Sequence, residues 1–251
     1  MCLICTDSRQ FIPVGGQRWT TLGDLCQTHR NAYRSYERGL LGIGTTPDFA
    51  IGQRALLVRS PSGNVLWDCI AMIDAATIEI VRAMGGLSAI AISHPHYYTT
   101  MVEWSRAFGG IPIYLHVDDR QWVMQPDPAI VFWDGETREL ARGLTLIRCG
   151  GHFSGATVLH WSDGADGKGA VLSGDVIQVV ADTRWVSFMF SYPNLVPLPA
   201  QSVQRISLSL RPYAFDRIYG AFWDRFVARD ARDALERSAQ RYVAALESED
   251  V

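Results

Sequence analysis

The sequence is notable first for what it lacks. No apolar run in its 251 residues approaches the ~20 that a membrane span needs, which excludes a helical membrane protein as the expectation. Basic excess is missing too. A net charge of −3 leaves no electrostatic footprint for nucleic acid. The opening residues Met1-Cys2-Leu3-Ile4-Cys5 show neither the basic stretch nor the apolar core of a signal peptide. Cysteine is scarce and odd in number, five in all, at Cys2, Cys5, Cys26, Cys69 and Cys149. That count fits a reducing compartment better than a disulfide framework, so the cytoplasm is the expected location. There is no internal repeat and no low-complexity tract. The expected partner is a small-molecule substrate rather than a membrane or a nucleic acid.

What is present has ordinary globular composition, 48% hydrophobic and 20% charged. A chain this long can bury a sizeable core without disulfides. From residue 51 onward an α/β rhythm is legible. A strand over 51–59 ends in the turn cluster Ser60-Pro61-Ser62-Gly63-Asn64, and 65–69 runs back. Asp74 is placed to cap a helix over 75–84, which Gly85-Gly86 ends. A buried strand follows over 87–92, then a helix over 100–108 and a strand over 111–116. Short strands at 131–133, 139–140, 144–147, 156–161 and 170–172 predict a second, hairpin-rich sheet. Helices are expected over 203–210 and 227–246, with a strand at 217–220 between them. Residues 1–49, rich in Gly, Arg, Thr and Tyr, show little pattern and are assigned to an N-terminal extension, with one domain over 50–251. The extension carries Cys2-x-x-Cys5 and Cys26-x-x-His29, the paired spacing of a structural zinc knuckle.

Histidine carries the strongest chemical signal. His94 and His96 follow the buried strand, one residue apart. Side chains alternate along an extended chain, so the two imidazoles are expected to point the same way. His152 lies in Gly150-Gly151-His152-Phe153-Ser154-Gly155 and Asp175 in Leu172-Ser173-Gly174-Asp175, each after an apolar run. Three His and one Asp at strand-to-loop junctions are the donors of a metal site. His116 is expected to satisfy groups near Asp118 and Asp119, and His160 to be a core histidine. The aromatic stretch that includes Trp185, Phe188, Phe190 and Tyr192 reads as packed core or as a pocket wall.

These residues, taken in order, resemble the metallo-β-lactamase superfamily. Val65-Leu66-Trp67-Asp68 looks like its early strand-end Asp, which braces the metal loops. His94-Pro95-His96 looks like the first half of its His-x-His-x-Asp-His motif. Gly151-His152-Phe153-Ser154-Gly155 resembles its glycine-flanked third His, and Ser173-Gly174-Asp175 its bridging carboxylate. The resemblance covers about residues 50–225 and implies a four-layer αββα sandwich with metal at the sheet edges. It also breaks in a consistent way. Tyr98 and Thr99 stand where the family has Asp and His, and 218–223 lacks the late His. All three residues that would belong only to a second metal ion are missing. The implied site is mononuclear: His94, His96 and His152, with Asp175 as fourth ligand or water-orienting carboxylate.

Three imidazoles on Zn²⁺ with an open position suffice to activate water. The leading expectation is a metal-dependent hydrolase acting on an ester, lactone, amide or similar small substrate. Asp175, Tyr97 and Tyr98 are the candidates to move protons, the tyrosines as hydrogen-bond donors. Tyr98 alternatively fills the space of the second ion or serves packing alone. Fe²⁺ suits the same donors, so a non-hydrolytic iron enzyme is the alternative, and a degenerate binding protein is the third reading. β-Lactam hydrolysis in particular is not supported.

Overall fold

Apolar alternation builds two sheets. The computed structural model describes residues 2–248. Its first sheet contains β1 (Arg30–Glu37), β2 (Leu40–Thr46), β3 (Arg54–Val58), β4 (Val65–Trp67), β5 (Ala89–Ala91), β6 (Ile113–His116) and β7 (Ile130–Trp133), in that order. Strands β1 to β4 pair antiparallel, and β4 to β7 pair parallel. Helix α1 (Leu22–Thr28) precedes the sheet. Helices α2 (Ala75–Ala83) and α3 (Met101–Ala107) make the crossovers that parallel pairing requires. Asp74 caps α2 as expected, its carboxylate accepting from the Thr77 N–H.

The second sheet runs β8 (Thr137–Ala141), β9 (Leu144–Arg148), β10 (Thr157–Trp161) and β11 (Ala170–Gly174), then continues through Arg217–Gly220 to Phe226–Val227. Period-two burial sorts each strand between layers. Leu56, Val58, Trp67 and Ala91 meet Leu146, Leu159, Trp161 and Leu172 between the sheets. Their alternates Ala55, Leu57, Leu66 and Ile90 face α2 and α3, with Val81, Val102 and Trp104. Ile147, Val158 and Val171 face the helices Ala200–Leu210 and Ala231–Glu247 on the far side. The result is the expected four-layer αββα sandwich. Among the described residues no helix is long and apolar enough to cross a membrane.

Two placements differ from the sequence-based expectation. Strands β1 and β2 lie before residue 50, yet they are the outer strands of the first sheet. The segment outside the sheets is therefore 2–29, not 1–49. Gly42 and Gly44 hide β2 because glycine reads as loop. They are needed there because a Cβ on Gly44 would sit 2.5 Å from the Trp223 ring. The second difference is at 131–133. This strand extends the first sheet beside β6 rather than opening the second.

Candidate metal centre

The site is mounted on the ends of three strands. Asp68 directly follows β4 and holds a left-handed backbone, φ 61°. Its Oδ1 accepts from the Ser93 N–H at 2.7 Å, which ties the end of β4 to the segment leaving β5. Asp68 is therefore the brace that the sequence suggested. Burial pushes its carboxyl up to about 7, against the pull of the Ser93 hydrogen bond. His94 follows in extended conformation, and Pro95–Tyr97 then forms a single 3₁₀ turn. The two histidines thus converge through this turn and not by strand alternation. Their ring centroids lie 5.1 Å apart.

His152 comes from the loop between β9 and β10. Gly150 and Gly151 both have positive φ, and a Cβ on Gly151 would press on Leu198 and Ile206 at 3.0–3.1 Å. Asp175 directly follows β11. Gly174, at φ +50°, leaves no room for a side chain: a Cβ there would sit 2.3 Å from Ser93 Oγ. That close approach brings the end of β11 against the His94 segment.

The four donors converge. One ligand atom from each of His94, His96, His152 and Asp175 lies within 4.8 Å of all the others. His94 Nε2 stands 3.6 Å from Asp175 Oδ2. The Nε2 atoms of all three histidines and Asp175 Oδ1 are buried without a hydrogen-bond partner, which is costly unless something else satisfies them. A metal ion fits this donor set. Ser93 Oγ lies 2.8 Å from His94 Nδ1 and the Met189 carbonyl 3.2 Å from His152 Nδ1. The Met189 carbonyl accepts the His152 Nδ1–H and leaves that Nε2 lone pair facing inward, and the Ser93 hydroxyl can accept the His94 Nδ1–H in the same way. Burial, followed by the neighbouring imidazoles, pulls His94 well below its usual range. Burial, followed by His96, pulls His152 down to about 3. Both are neutral at physiological pH, the form that binds metal. Burial raises Asp175 to about 6.

The remaining sequence candidates separate clearly. Tyr97 is fully buried against the His94 ring, centroids 4.4 Å apart. Burial, then Asp175, raises its phenol well above the usual range. Tyr98 packs in the core beside Tyr97, Met101 and Val102, and burial followed by Asp119 raises its phenol too. Both stay protonated and can only donate near neutral pH. In the histidine-free stretch 218–223, Ala221 is buried and its carbonyl accepts from the Arg54 N–H at 2.8 Å. His116 and His160 are structural as expected, bonded to the carbonyls of Gly135 and Ala214. Tyr192 does line the site, its hydroxyl donating to the Asp175 carbonyl at 3.0 Å. Trp185 instead lies under Arg241, and Phe188 is core packed against Tyr242.

The structure does not bring the four knuckle residues together. Cys2 and Cys5 share one turn, with the Cys5 N–H donating to Cys2 Sγ at 3.4 Å. Cys26, however, is fixed on α1, where its thiol faces the Ile73 carbonyl at 3.9 Å. His29, the C-cap of α1, bonds Thr28 and packs edge-on to Phe49. Among the described residues, the His94 set is the one group of three or more such side chains that converges.

Two residues at the site had no signal in the sequence. Asp7 Oδ1 lies 3.5 Å from His96 Nε2, and Arg9 donates to the His152 carbonyl at 2.6 Å. A cleft of about 650 Å³ is lined by Phe11, Trp19, Leu22, Thr99 and Thr100 among others, and by none of the four metal donors.

No family model matches the chain. It is 51% identical over 250 residues to the uncharacterized protein YmaE of Bacillus subtilis (strain 168), covering 99% of this chain and 90% of that one. Among solved structures it is similar to the metallo-β-lactamase FIM-1 from Pseudomonas aeruginosa in its mono-zinc form. The TM-score is 0.62 at 16% identity, over 85% of this chain and 96% of that one. The metallo-β-lactamase DIM-1 gives 0.63 at 14% identity, over 86% and 98%. The metallo-β-lactamase SMB-1, in complex with mercaptoacetic acid, gives 0.53 at 19% identity, over 83% and 90%.

Proposed function

Since the chain belongs to the YmaE family and has the metallo-β-lactamase fold, we propose that it is a hydrolase that works with a single metal ion. His94, His96 and His152 hold the ion, with Asp175 as fourth donor or water-orienting carboxylate. One observation carries this reading: four buried ligand atoms of the right types, without other partners, face one point. Zn²⁺ is the proposed ion and Fe²⁺ the alternative.

Such an ion would lower the pKa of a bound water to about 7 and polarise a carbonyl. The chain's own groups supply the rest. Asp175, raised by burial to about 6, is deprotonated at neutral pH and weakly basic enough to hold and pass on a proton. Tyr97, protonated and beside Asp175, is a hydrogen-bond donor for an oxyanion. Tyr98 keeps a packing role. With Tyr98, Thr99 and the histidine-free stretch 218–223 where the family resemblance would need second-site ligands, the proposed site stays mononuclear. Low exposure of His94, Asp175 and His152 supports a small electrophile, an ester, lactone, amide or similar. The odd cysteine count supports cytoplasmic work.

Elemental analysis of the purified chain, paired with a panel of esters, lactones, amides and thioesters, tests this. One equivalent of metal is expected, with turnover of at least one panel member. His152→Ala should lose both. If that variant keeps its metal content and the loaded wild type turns over nothing, the hydrolase reading is lost.

A further inference from the structure

Asp7 is the one carboxylate at the site that no strand end delivers. It sits in the irregular N-terminal segment and is nearly sealed, with its side chain 5% exposed. Arg9 grips it twice. Nε bonds Oδ1 at 2.8 Å and Nη2 bonds Oδ2 at 2.6 Å, and the Arg9 N–H adds a third bond to Oδ1 at 2.9 Å. The same guanidinium lies 3.5 Å over the Phe153 ring and donates to the His152 carbonyl. Farther along the segment, the Ser8 carbonyl accepts from Asn194 and the Arg9 carbonyl from Ser191. The segment is therefore fixed onto the metal loops at several points.

This arrangement aims Asp7 Oδ1 at His96 Nε2, itself buried and without a hydrogen-bond partner. Donors bound about 2.1 Å from one tetrahedral ion stand about 3.4 Å from each other. Asp7 Oδ1 lies 3.5 Å from His96 Nε2, and Asp175 Oδ2 lies 3.6 Å from His94 Nε2. Each carboxylate thus stands at ligand spacing from one imidazole; Asp7 lies outside the set whose ligand atoms are all within 4.8 Å of one another, so it reaches the ion only as metal draws the N-terminal segment in.

Resting on the single-metal reading above, we propose that Asp7 is a fifth protein donor to that ion. The N-terminal segment brings it in. The metal site is then assembled from both sheets and from a segment outside them. Metal loading should lock residues 2–29 onto the sandwich.

The test uses the full chain with Asp7→Asn, Asp7→Glu, His152→Ala and the exposed-turn control Asp134→Asn. Zn²⁺ affinity is measured by chelator competition, and the visible spectrum is recorded with Co²⁺ in place of Zn²⁺. Asp7→Asn should lose at least the roughly 10–100-fold in affinity that removing an outer partner costs. Its Co²⁺ bands should intensify as the coordination number falls. Asp7→Glu, which keeps the charge, should fall between, and Asp134→Asn should match wild type. Melting of the metal-free protein separates the roles, because a donor acts on the increment gained with metal. An Asp7→Asn variant with wild-type affinity and an unchanged Co²⁺ spectrum overturns the proposal, whatever its metal-free melting does. If His152→Ala also keeps wild-type affinity, the failure lies in the metal site itself and not in Asp7.

Discussion

Two quartets of ligand-type side chains differ in what stands beneath them. His94, His96, His152 and Asp175 follow strand ends that are tied together by buried contacts. The Asp68 carboxylate holds the Ser93 N–H, and Gly174 lets β11 touch the His94 segment. Cys2, Cys5, Cys26 and His29 share a plausible spacing but no such support. One pair occupies a turn, and the others sit on a seven-residue helix and at its C-cap, with contacts that point elsewhere. Ligand spacing along a chain marks a site only where the fold over-determines the positions of its ends.

Breaking the support should therefore have the largest effect. Gly174→Ala adds left-handed backbone strain of about 1–2 kcal/mol. It also forces a Cβ to 2.3 Å from Ser93 Oγ, an overpacking that costs about 1–3 kcal/mol. Together these predict a loss of roughly 3 kcal/mol and a fall in Tm of about 10 °C. Metal binding should weaken with it, since Ser93 also partners His94. Thermal melting with and without Zn²⁺ reads both. A variant that melts within about 2 °C of wild type would mean that the close approach is not what holds the quartet.

A smaller and more selective effect is expected at Asp68. Its carboxyl is raised to about 7 in the fold, against about 3.9 when unfolded. The folded state therefore binds this proton more tightly. The stability it lends is full below about pH 4 and is lost as pH rises toward 7. Asp68→Asn keeps an oxygen for the Ser93 N–H and removes the titration. Relative to wild type, the metal-free variant should gain about 2 kcal/mol between pH 5 and pH 7. Denaturant unfolding at the two pH values measures this, and a parallel pH dependence in both proteins would contradict it.

The same contrast explains what was legible in the sequence. Strands β3 to β6 and β9 to β11 carry dense apolar runs, and Asp74 and Gly85 mark the ends of α2, so most of the sandwich could be read. Strand β2 could not, because Gly44 is dictated by Trp223, far away in sequence, and Gly42 by Tyr36 and Trp223 together. The histidine pair was legible in identity but not in geometry, since Pro95 starts a 3₁₀ turn where extended chain was expected. Asp7 and Arg9 were illegible for a plainer reason. Arg9 reaches a carbonyl 143 residues away, and an Asp two residues before an Arg has no local signature. Local pattern reports local structure, while the sealing of this site is a tertiary event.

The smallest expected effect tests the comparison from its other side. Cys26→Ser changes a thiol whose one described contact is a weak one to the Ile73 carbonyl. If the N-terminal quartet is not a metal site, the variant should keep the wild-type metal content. Its stability should stay within about 0.5 kcal/mol of wild type, as for substitutions away from special features. Plasma emission analysis of dialysed protein, alongside His152→Ala, gives the reading directly. Loss of one equivalent in His152→Ala and none in Cys26→Ser keeps the two quartets apart. Loss of one equivalent in Cys26→Ser would make them alike and restore the zinc knuckle. It would require the N-terminal helix to leave Ile73 and Phe49 and to bring Cys26 and His29 over to Cys2 and Cys5.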